Sequence, residues 1–488
     1  MTFDLTLILI MVGLALAYLF LGARWRSWAL LIMSALAIYL LQPRLNIRFL
    51  DFALPTTTLF LSILSWYLTQ EVGAIKGSLK KRDNALALIL LIGIVLGLSL
   101  FRFVEVGQRP LPSRPPEPLH VALILGGLLL LGAFLGLGVK RGQQRLILWG
   151  MIALIVGLFI VLKTESLATP LAAWLRDATG KDSSLASPFD LGWLGFSYVA
   201  FRLIHTYRDR QSGILPALDL RTYVSYVIFT PAFLAGPIDR AERFAADYEA
   251  LPQLQTRDAS RLYPAAERIM LGLFKKFVIA DTLAQGMSLT PDLAAQTEQA
   301  PAMWLLLYAY ALRLYFDFSG YSDIAIGLGL LFGIRLPENF KAPYLKTNIT
   351  AFWQSWHMSL SNWVRFYVFS PLSRYLLSRK KRPSSTFIVF ITQCTTMIVI
   401  GLWHGISLNF FIWGVWHGVG LFVHKQFSDR SRKWHRELKK KPVQYRVWQV
   451  AVWALTFHFV VLAWVFFALP ETAEAVRVLG VLFGLGGR

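Results

Sequence analysis

The stretch ALALILLIGIVLGLSLF, residues 85 to 101, is apolar almost without interruption. As a helix it rises about 25 Å, close to the ~30 Å hydrocarbon layer of a bilayer. Lipid offers no partner to a backbone amide, so a spanning segment must satisfy its own amides as a helix or close into a barrel. Barrel strands alternate apolar and polar side chains over about ten residues, and LILLIGIVL, residues 88 to 96, does not alternate. The run is therefore read as a membrane helix.

Similar runs recur, among them LTLILIMVGLALAYLFLG (5 to 22) and VALILGGLLLLGAFLGLGV (121 to 139). The 488-residue chain is 56% apolar and 16% charged, where soluble domains carry roughly 25% charge, and its mean hydropathy is +0.52. The fold class is all-α, a polytopic integral membrane protein with about eleven to fourteen membrane-embedded helices. Some of these read as re-entrant or interfacial, because later apolar runs are interrupted by Pro, Gly or charge. The first run follows MTFD, which has no basic residue, and is read as a retained helix rather than a cleaved signal.

The net charge is +21. The basic residues gather in short loops: ARWR (23 to 26), KGSLKKR (76 to 82), KRGQQR (140 to 145), RKKR (379 to 382) and KQFSDRSRKWHRELKKKPVQYR (425 to 446). The first three clusters are each separated by two apolar runs and so share a face, which the positive-inside tendency makes cytoplasmic. The N-terminus is then outside, as is the 164 to 190 stretch with Asp177, Asp182 and Asp190. Charge here reports topology and contact with anionic lipid, so the expected partner is the bilayer and not nucleic acid.

Cys394 is the single cysteine, which removes a disulfide framework and a thiolate metal site. It sits mid-run with no histidine near in sequence and is not read as a nucleophile.

Up to about residue 165 the chain is apolar runs, short loops and one Pro-rich external loop, GQRPLPSRPPEPLH (107 to 120). From about 190 onward tryptophan, histidine, proline and charge enter the apolar segments. No internal repeat is visible, which disfavours the paired inverted halves of many transporters. The polar stretch from Asp239 to Ile269 reads as interfacial helices.

A charge inside a membrane segment costs on the order of 3 kcal/mol, so it needs a partner or a cavity. Asp317 and Asp323 lie six apart and do not share a helix face cleanly, and Gly320 between them invites a break. Arg313 and Arg335 are the cations expected to neutralise them; a catalytic or channel-lining role is the alternative. In RLPENF (335 to 340), Pro337 stops a helix, and Glu338 with Asn339 suits a polar boundary at an interface.

FWQSWHMSLSNWVRF (352 to 366) places Trp353, Trp356 and Trp363 on one face of a helix, with His357 beside it. GLWHGISLNFFIWGVWHG (401 to 418) holds His404 and His417, each in Trp-His-Gly, where the glycine permits close approach of backbone or ligand. His417 reads as packing. An imidazole with a pKa near 6.5 can take a proton from a hydroxyl and return it to a leaving group. The rival use is metal ligation, but no zinc-type His or carboxylate spacing surrounds His357 or His404, so no metal is expected. There is no GxSxG elbow, P-loop or dinucleotide fingerprint, so no bound cofactor is expected.

Six ordered motifs resemble a known family. LGFSYVAFRLIHTYRD, FLAGPIDRAERF, GLFKKFVIAD, YFDFSGYSDIAIGLGLLFGIRLPENF, FWQSWHMSLSNWVRFY and GLWHG, between about 195 and 420, look like the membrane-bound O-acyltransferases, in particular the bacterial branch with alginate O-acetylases and teichoic acid D-alanyl transferases. The resemblance implies helices around a central tunnel, with His404 catalytic and His357 its essential companion, 47 residues earlier. Trp353, Trp356, Trp403, Arg365, Asn409, Asp317, Ser319 and Tyr321 are the candidate tunnel residues. Core packing is the equal reading for the tryptophans, and a snorkelling or structural ion pair the alternative for Arg365. The chain departs from the family pattern at Gln354 and Ser355, where the family often has two arginines, at Phe366, where it often has aspartate, and at Ser373 and Arg374.

The same resemblance implies an O-acyltransferase of the bacterial cytoplasmic (inner) membrane, serving polysaccharide O-acetylation or related cell-envelope chemistry. It would move an acyl group from a cytoplasmic thioester, acyl-CoA or an acyl carrier protein, to a hydroxyl of an extracytoplasmic glycan or lipid-linked polymer. His404 would be the general base and His357 would position or polarise the donor. The organisation is then a scaffold (1 to 190), a catalytic core (191 to 425), and a basic cytoplasmic loop with a C-terminal transmembrane helix (426 to 488). The 425 to 446 loop either docks an acidic carrier protein or simply fixes topology, and an extracytoplasmic partner acyltransferase is a further expected contact. The competing class is a proton-coupled transporter or channel using His357, His404, Asp317 and Asp323. A membrane glycosyltransferase finds only Asp177 and Asp182 in its support.

Overall fold

The computed structural model describes residues 5–485 other than 72, 74, 79, 106, 107, 256 and 257. The MTFD start, Leu79 of the KGSLKKR cluster, Gly107 of the Pro-rich loop, and Thr256 with Arg257 of the polar stretch lie outside the described residues. Among the described residues every regular element is helical. The chain forms two compact units, Met1–Glu267 with Ala325–Leu336, and Arg268–Ile324 with Pro337–Arg488.

In the first unit the helices Leu5–Leu19, Ala23–Leu40, Leu50–Leu68, Arg82–Ser99, Pro118–Gly138 and Gln144–Lys163 follow in order. Pro118 opens its helix where a missing N–H costs nothing. Gly142, at φ 82°, turns the chain between the last two. Leu119, Leu123, Leu130 and Phe134 point outward, and an 18-residue apolar window within Pro118–Lys163 is only 17% buried. An apolar helix this bare has lipid, not water, as its solvent. In Leu50–Leu68 the hydroxyls of Thr56, Thr57 and Thr58 return to carbonyls four residues back at 2.8, 2.9 and 3.1 Å, so a polar run satisfies itself inside an apolar helix.

Four stretches among the described residues combine the length and apolar content for crossing a bilayer: Arg82–Phe103, Pro118–Lys163, Ser385–His404 and Pro442–Ala468. The second has 46 residues and bends at Gly142 into two helices. Other apolar segments are helical too, but shorter or interrupted by polar side chains.

Not every cation of the ARWR cluster marks a loop. Arg26 is 5% exposed, and its guanidinium donates to the carbonyls of Leu21 at 3.1 Å and Leu251 at 3.3 Å. In the stretch after Lys163, the amphipathic helix Glu165–Ala178 carries Arg176 to Asp190 at 2.6 Å. The 239 to 269 region forms the amphipathic helices Ala241–Glu249 and, from residue 259, Ala259–Leu273.

In the second unit the chain passes through a wide helical turn, Phe274–Ala280, and the long helix Ala300–Leu331, whose residues to Ile324 belong here. It continues through the short helices Ile349–Trp353, Met358–Val364 and Ser370–Leu377 to a hairpin of Ser385–His404 and Leu408–Arg430. The hairpin closes tightly because Gly414 and Gly418 face the backbone of Ile398 and Cys394, where an added Cβ would come within 2.7 Å of each Cα. Pro442–Ala463, Val465–Ala468 and Thr472–Leu482 complete the unit.

Gly320 does not break its helix; Ala300–Leu331 runs through it. The glycine serves close approach instead. A Cβ on Gly320 would lie 2.9 Å from the carbonyl oxygen of Gly272, and one on Gly272 would lie 2.6 Å from that of Gly320. Two backbones therefore touch where neither residue has a side chain.

Candidate active site

His357 is set by a break. Asn348 caps Ile349–Trp353 by accepting from Ala351 N–H at 2.8 Å, and the helix ends within a turn and a half. The Ser355 hydroxyl donates back to the Ala351 carbonyl at 2.8 Å. His357 then takes φ 42° and ψ 54° as the residue before Met358–Val364, a left-handed conformation that non-glycine residues adopt rarely and often at functional sites. Trp353, Trp356 and Trp363 therefore do not form one helical face: the helix expected through them is interrupted at His357.

Instead the tryptophans separate. Trp353 donates its indole N–H to His417 Nδ1 at 3.3 Å and stands edge-on to the Trp413 ring. Trp356 packs among Phe340, Phe352, Tyr344 and Trp464. Trp403 is the one that reaches both candidate imidazoles, with ring centroids 5.9 Å from His357 and 4.6 Å from His404.

His404 is the last residue of Ser385–His404, where extended Gly405 ends the helix and Ser407 caps the next. Its ring rests edge-on against Phe467 at 4.7 Å. It is partly exposed, whereas His357 is 2% exposed beneath the edge of Phe318. His357 Nε2 is buried with no hydrogen-bond partner among the described residues, as are Trp413 Nε1 and His417 Nε2. Buried polar atoms without partners are rare in folded proteins and point to function or to a bound group.

Asn339 holds the His357 turn. It is 0% exposed, so the polar boundary expected at Glu338–Asn339 is wrong for the asparagine. Its backbone carbonyl accepts Met358 N–H at 2.9 Å, and its side-chain oxygen accepts the Ser359 hydroxyl at 2.6 Å. Sequence reasoning missed this residue because nothing in RLPENF reveals that its asparagine faces a turn eighteen residues on.

The acid partners also differ from the expectation. Asp317 pairs with Lys276 at 2.6 Å, and buried Asp323 with Arg268 at 2.5 Å and Lys275 at 2.6 Å. Arg313 donates to the Ser288 hydroxyl, and Arg335 pairs with Asp247. The reason is the Gly272–Gly320 contact. It lays the two lysines that follow Gly272 against the carboxylates three residues either side of Gly320. The signal was present in GLFKKFVIAD, which carries a glycine and two cations opposite a segment with a glycine and two acids.

Among the remaining candidates, Ser319 and Tyr321 are buried on the same helix as Asp317, which is half-exposed. Asn409 is buried and donates to the Leu469 carbonyl at 2.8 Å, tying the hairpin to the segment after Phe467. Arg365 is placed elsewhere, exposed in a wide helical turn with its guanidinium over the Phe366 ring. Two pockets are prominent, one of about 140 Å³ among Leu59, Trp66, Leu91 and Leu128, the other beside Phe422 and Arg430. Neither is lined by His357 or His404.

The first unit holds a cluster the sequence reading passed over: ligand atoms of His205, Asp209 and Glu242 lie within 4.8 Å of one another. Arg240 pairs with Asp209 at 3.3 Å and Glu242 at 2.6 Å, and Ala241 N–H donates to His205 Nε2. The guanidinium supplies the positive charge these carboxylates need.

Two histidines that meet one indole in an aromatic cluster, with their motifs in order, define a class. Residues 144–469 match the MBOAT, membrane-bound O-acyltransferase family, and the chain belongs to it. It is 36% identical over 296 residues to the probable alginate O-acetylase AlgI of Pseudomonas syringae pv. tomato, covering 60% of this chain and 52% of that protein. It is 37% identical over 272 residues to the peptidoglycan O-acetyltransferase of Helicobacter pylori, covering 54% and 47%. The teichoic acid D-alanyltransferase of Streptococcus thermophilus is 34% identical over 289 residues, covering 57% and 68%. The chain thus spans about half the length of the first two.

Proposed function

We propose that the protein is an O-acyltransferase that moves an acyl group from a cytoplasmic thioester, acyl-CoA or acyl carrier protein, to a hydroxyl of an extracytoplasmic glycan or lipid-linked polymer. The observation that carries it is the pairing of His404 and His357 across one indole, the first partly exposed and the second deeply buried. Family membership supports the reaction class. The relatives named for alginate, peptidoglycan and teichoic acid support a hydroxyl-bearing envelope polymer as acceptor.

In this reading His404 takes the proton of the acceptor hydroxyl as its oxygen attacks the thioester carbonyl. The C–O ester bond forms, the C–S bond breaks, and the thiolate leaves with the proton that His404 returns. Such general acid–base help is worth about 10² to 10⁴ in rate, and holding two substrates in register supplies much of the rest. His357 positions the reacting groups. Trp403 excludes water from both rings, in a passage that opens to both leaflets.

The proposed setting is the bacterial inner membrane with the N-terminus outside. The 425 to 446 segment, nine cations against two acids and helical over most of its length rather than the loop expected, would receive an acidic carrier protein, and a second acyltransferase would act outside. A transporter would need Asp317 and Asp323 in a proton relay, and both are instead committed to lysine and arginine partners.

The test is the cell envelope. Mild alkali releases ester-bound acyl groups from polymer; the release is expected from cells carrying the protein and lost with His404→Ala made at the same level. Equal release from both would overturn the proposal.

A further inference from the structure

The asparagine that holds the His357 turn also decides which ring nitrogen faces the site. A backbone N–H can only donate, so the atom of the Asn339 amide that meets Ser359 N–H at 3.3 Å must be its oxygen. The Ser359 hydroxyl donates to the same oxygen at 2.6 Å, and the amide nitrogen is turned to the Ser322 hydroxyl at 3.1 Å. The bonds therefore fix the orientation of the amide. That oxygen also lies 3.4 Å from His357 Nδ1.

An oxygen with no hydrogen of its own accepts from Nδ1 only when Nδ1 carries the proton. A neutral imidazole protonated there has its lone pair on Nε2. His357 Nε2 is the atom that is buried and has no partner among the described residues. We infer that Asn339 is a positioning residue that locks His357 in the Nδ1–H form, so that Nε2 presents a lone pair to the reacting groups. The inference deepens the O-acyltransferase reading and, in its kinetic arm, rests on it. His357 then enters the reaction as a hydrogen-bond acceptor and not as a donor that polarises the thioester carbonyl. The left-handed backbone at His357 serves this geometry, because the turn it makes brings Ser359 N–H and the ring to one oxygen.

The test begins with the tautomer itself. In detergent-purified protein labelled with ¹⁵N-histidine, the His357 resonances are assigned by their loss in His357→Gln. The expected spectrum has Nδ1 protonated and Nε2 not, and Asn339→Leu is expected to replace it with a mixture of forms. With acetyl-CoA as probe donor, Asn339→Leu should lower kcat for donor turnover about 100-fold with KM within about twofold. Asn339→Asp, which keeps an accepting oxygen toward Ser359 and His357, should restore a tenth or more of the wild-type rate. A wild-type His357 protonated on Nε2 would overturn the inference, as would an Asn339→Leu protein with unchanged tautomer and turnover. A wild-type protein that shows the expected tautomer but no turnover of any thioester supports the positioning of His357 and counts against the acyltransferase reading instead.

Discussion

The ring of Trp403 stands edge-on to that of His404, its neighbour in sequence, with centroids 4.6 Å apart, and the same indole meets His357 at 5.9 Å. A helix residue and the one after it normally diverge by about 100°. Here the helix ends at His404, which lets both rings turn toward one place.

Trp403 is therefore the residue whose size sets the spacing of the imidazoles. Trp403→Phe keeps an aromatic plane and should retain more than a tenth of wild-type thioester turnover. Trp403→Ala leaves both rings free to shift, and a displacement near 1 Å costs about 100-fold. Steady-state kinetics on the two variants checks this; equal rates in both would show that the indole does not space the histidines.

The Gly272–Gly320 contact has no room for a side chain. Gly320→Val must push apart two backbones that already touch, and overpacking of this kind costs about 1 to 3 kcal/mol. The expected result is a lower unfolding temperature in detergent for Gly320→Val and Gly272→Val, while Gly126→Val, which meets open space, leaves it nearly unchanged.

The two carboxylates of the same helix should behave differently. Asp323 is buried and takes bonds from both Arg268 and Lys275, while Arg268 is partly exposed and keeps Glu338, so Asp323→Asn loses charge-assisted bonds to a buried group at a cost of about 1 to 3 kcal/mol. Asp317 is half-exposed beside Lys276, where a pair contributes about 1 kcal/mol or less. Asp317→Asn should accordingly keep turnover within about threefold. A folded Asp317→Asn protein with no turnover would give that carboxylate a chemical role.

The Arg176–Asp190 pair gives a pH signature outside the membrane segments. Hydrogen bonds from the Arg176 guanidinium hold the Asp190 carboxyl below its usual range. A depressed carboxylate stabilises the folded state above its unfolded pKa, about 3.9, and that stabilisation is lost as pH falls through the lower folded value. Wild type should unfold at a higher temperature than Asp190→Asn at pH 7, and the difference should shrink as pH falls below about 4. A difference that is the same at both pH values would contradict the assignment.

Much of the fold was legible because lipid leaves the backbone so few options. Runs such as ALALILLIGIVLGLSLF admit a helix and little else. His357 and His404 stood out because ionisable rings are uncommon among such runs. What stayed hidden depended on distance in space. Asn339 reads as a loop residue until the fold buries it against Ser359, and Arg335 reads as a partner for Asp323 until Asp247 is found beside it. Gly320 reads as a helix breaker, because propensity alone does not reveal that Gly272 lies opposite. The aromatic face through Trp353, Trp356 and Trp363 failed for a related reason: periodicity assumes an unbroken helix, and the left-handed turn at His357 is fixed by bonds from Asn339, far upstream.

The most direct measurement is thioester turnover by purified protein in detergent, wild type against His404→Ala, with unfolding temperatures recorded for both. The account predicts that wild type transfers or slowly hydrolyses a labelled acyl donor and that His404→Ala, equally stable, loses at least 100-fold of that rate. Undiminished turnover by folded His404→Ala would contradict it.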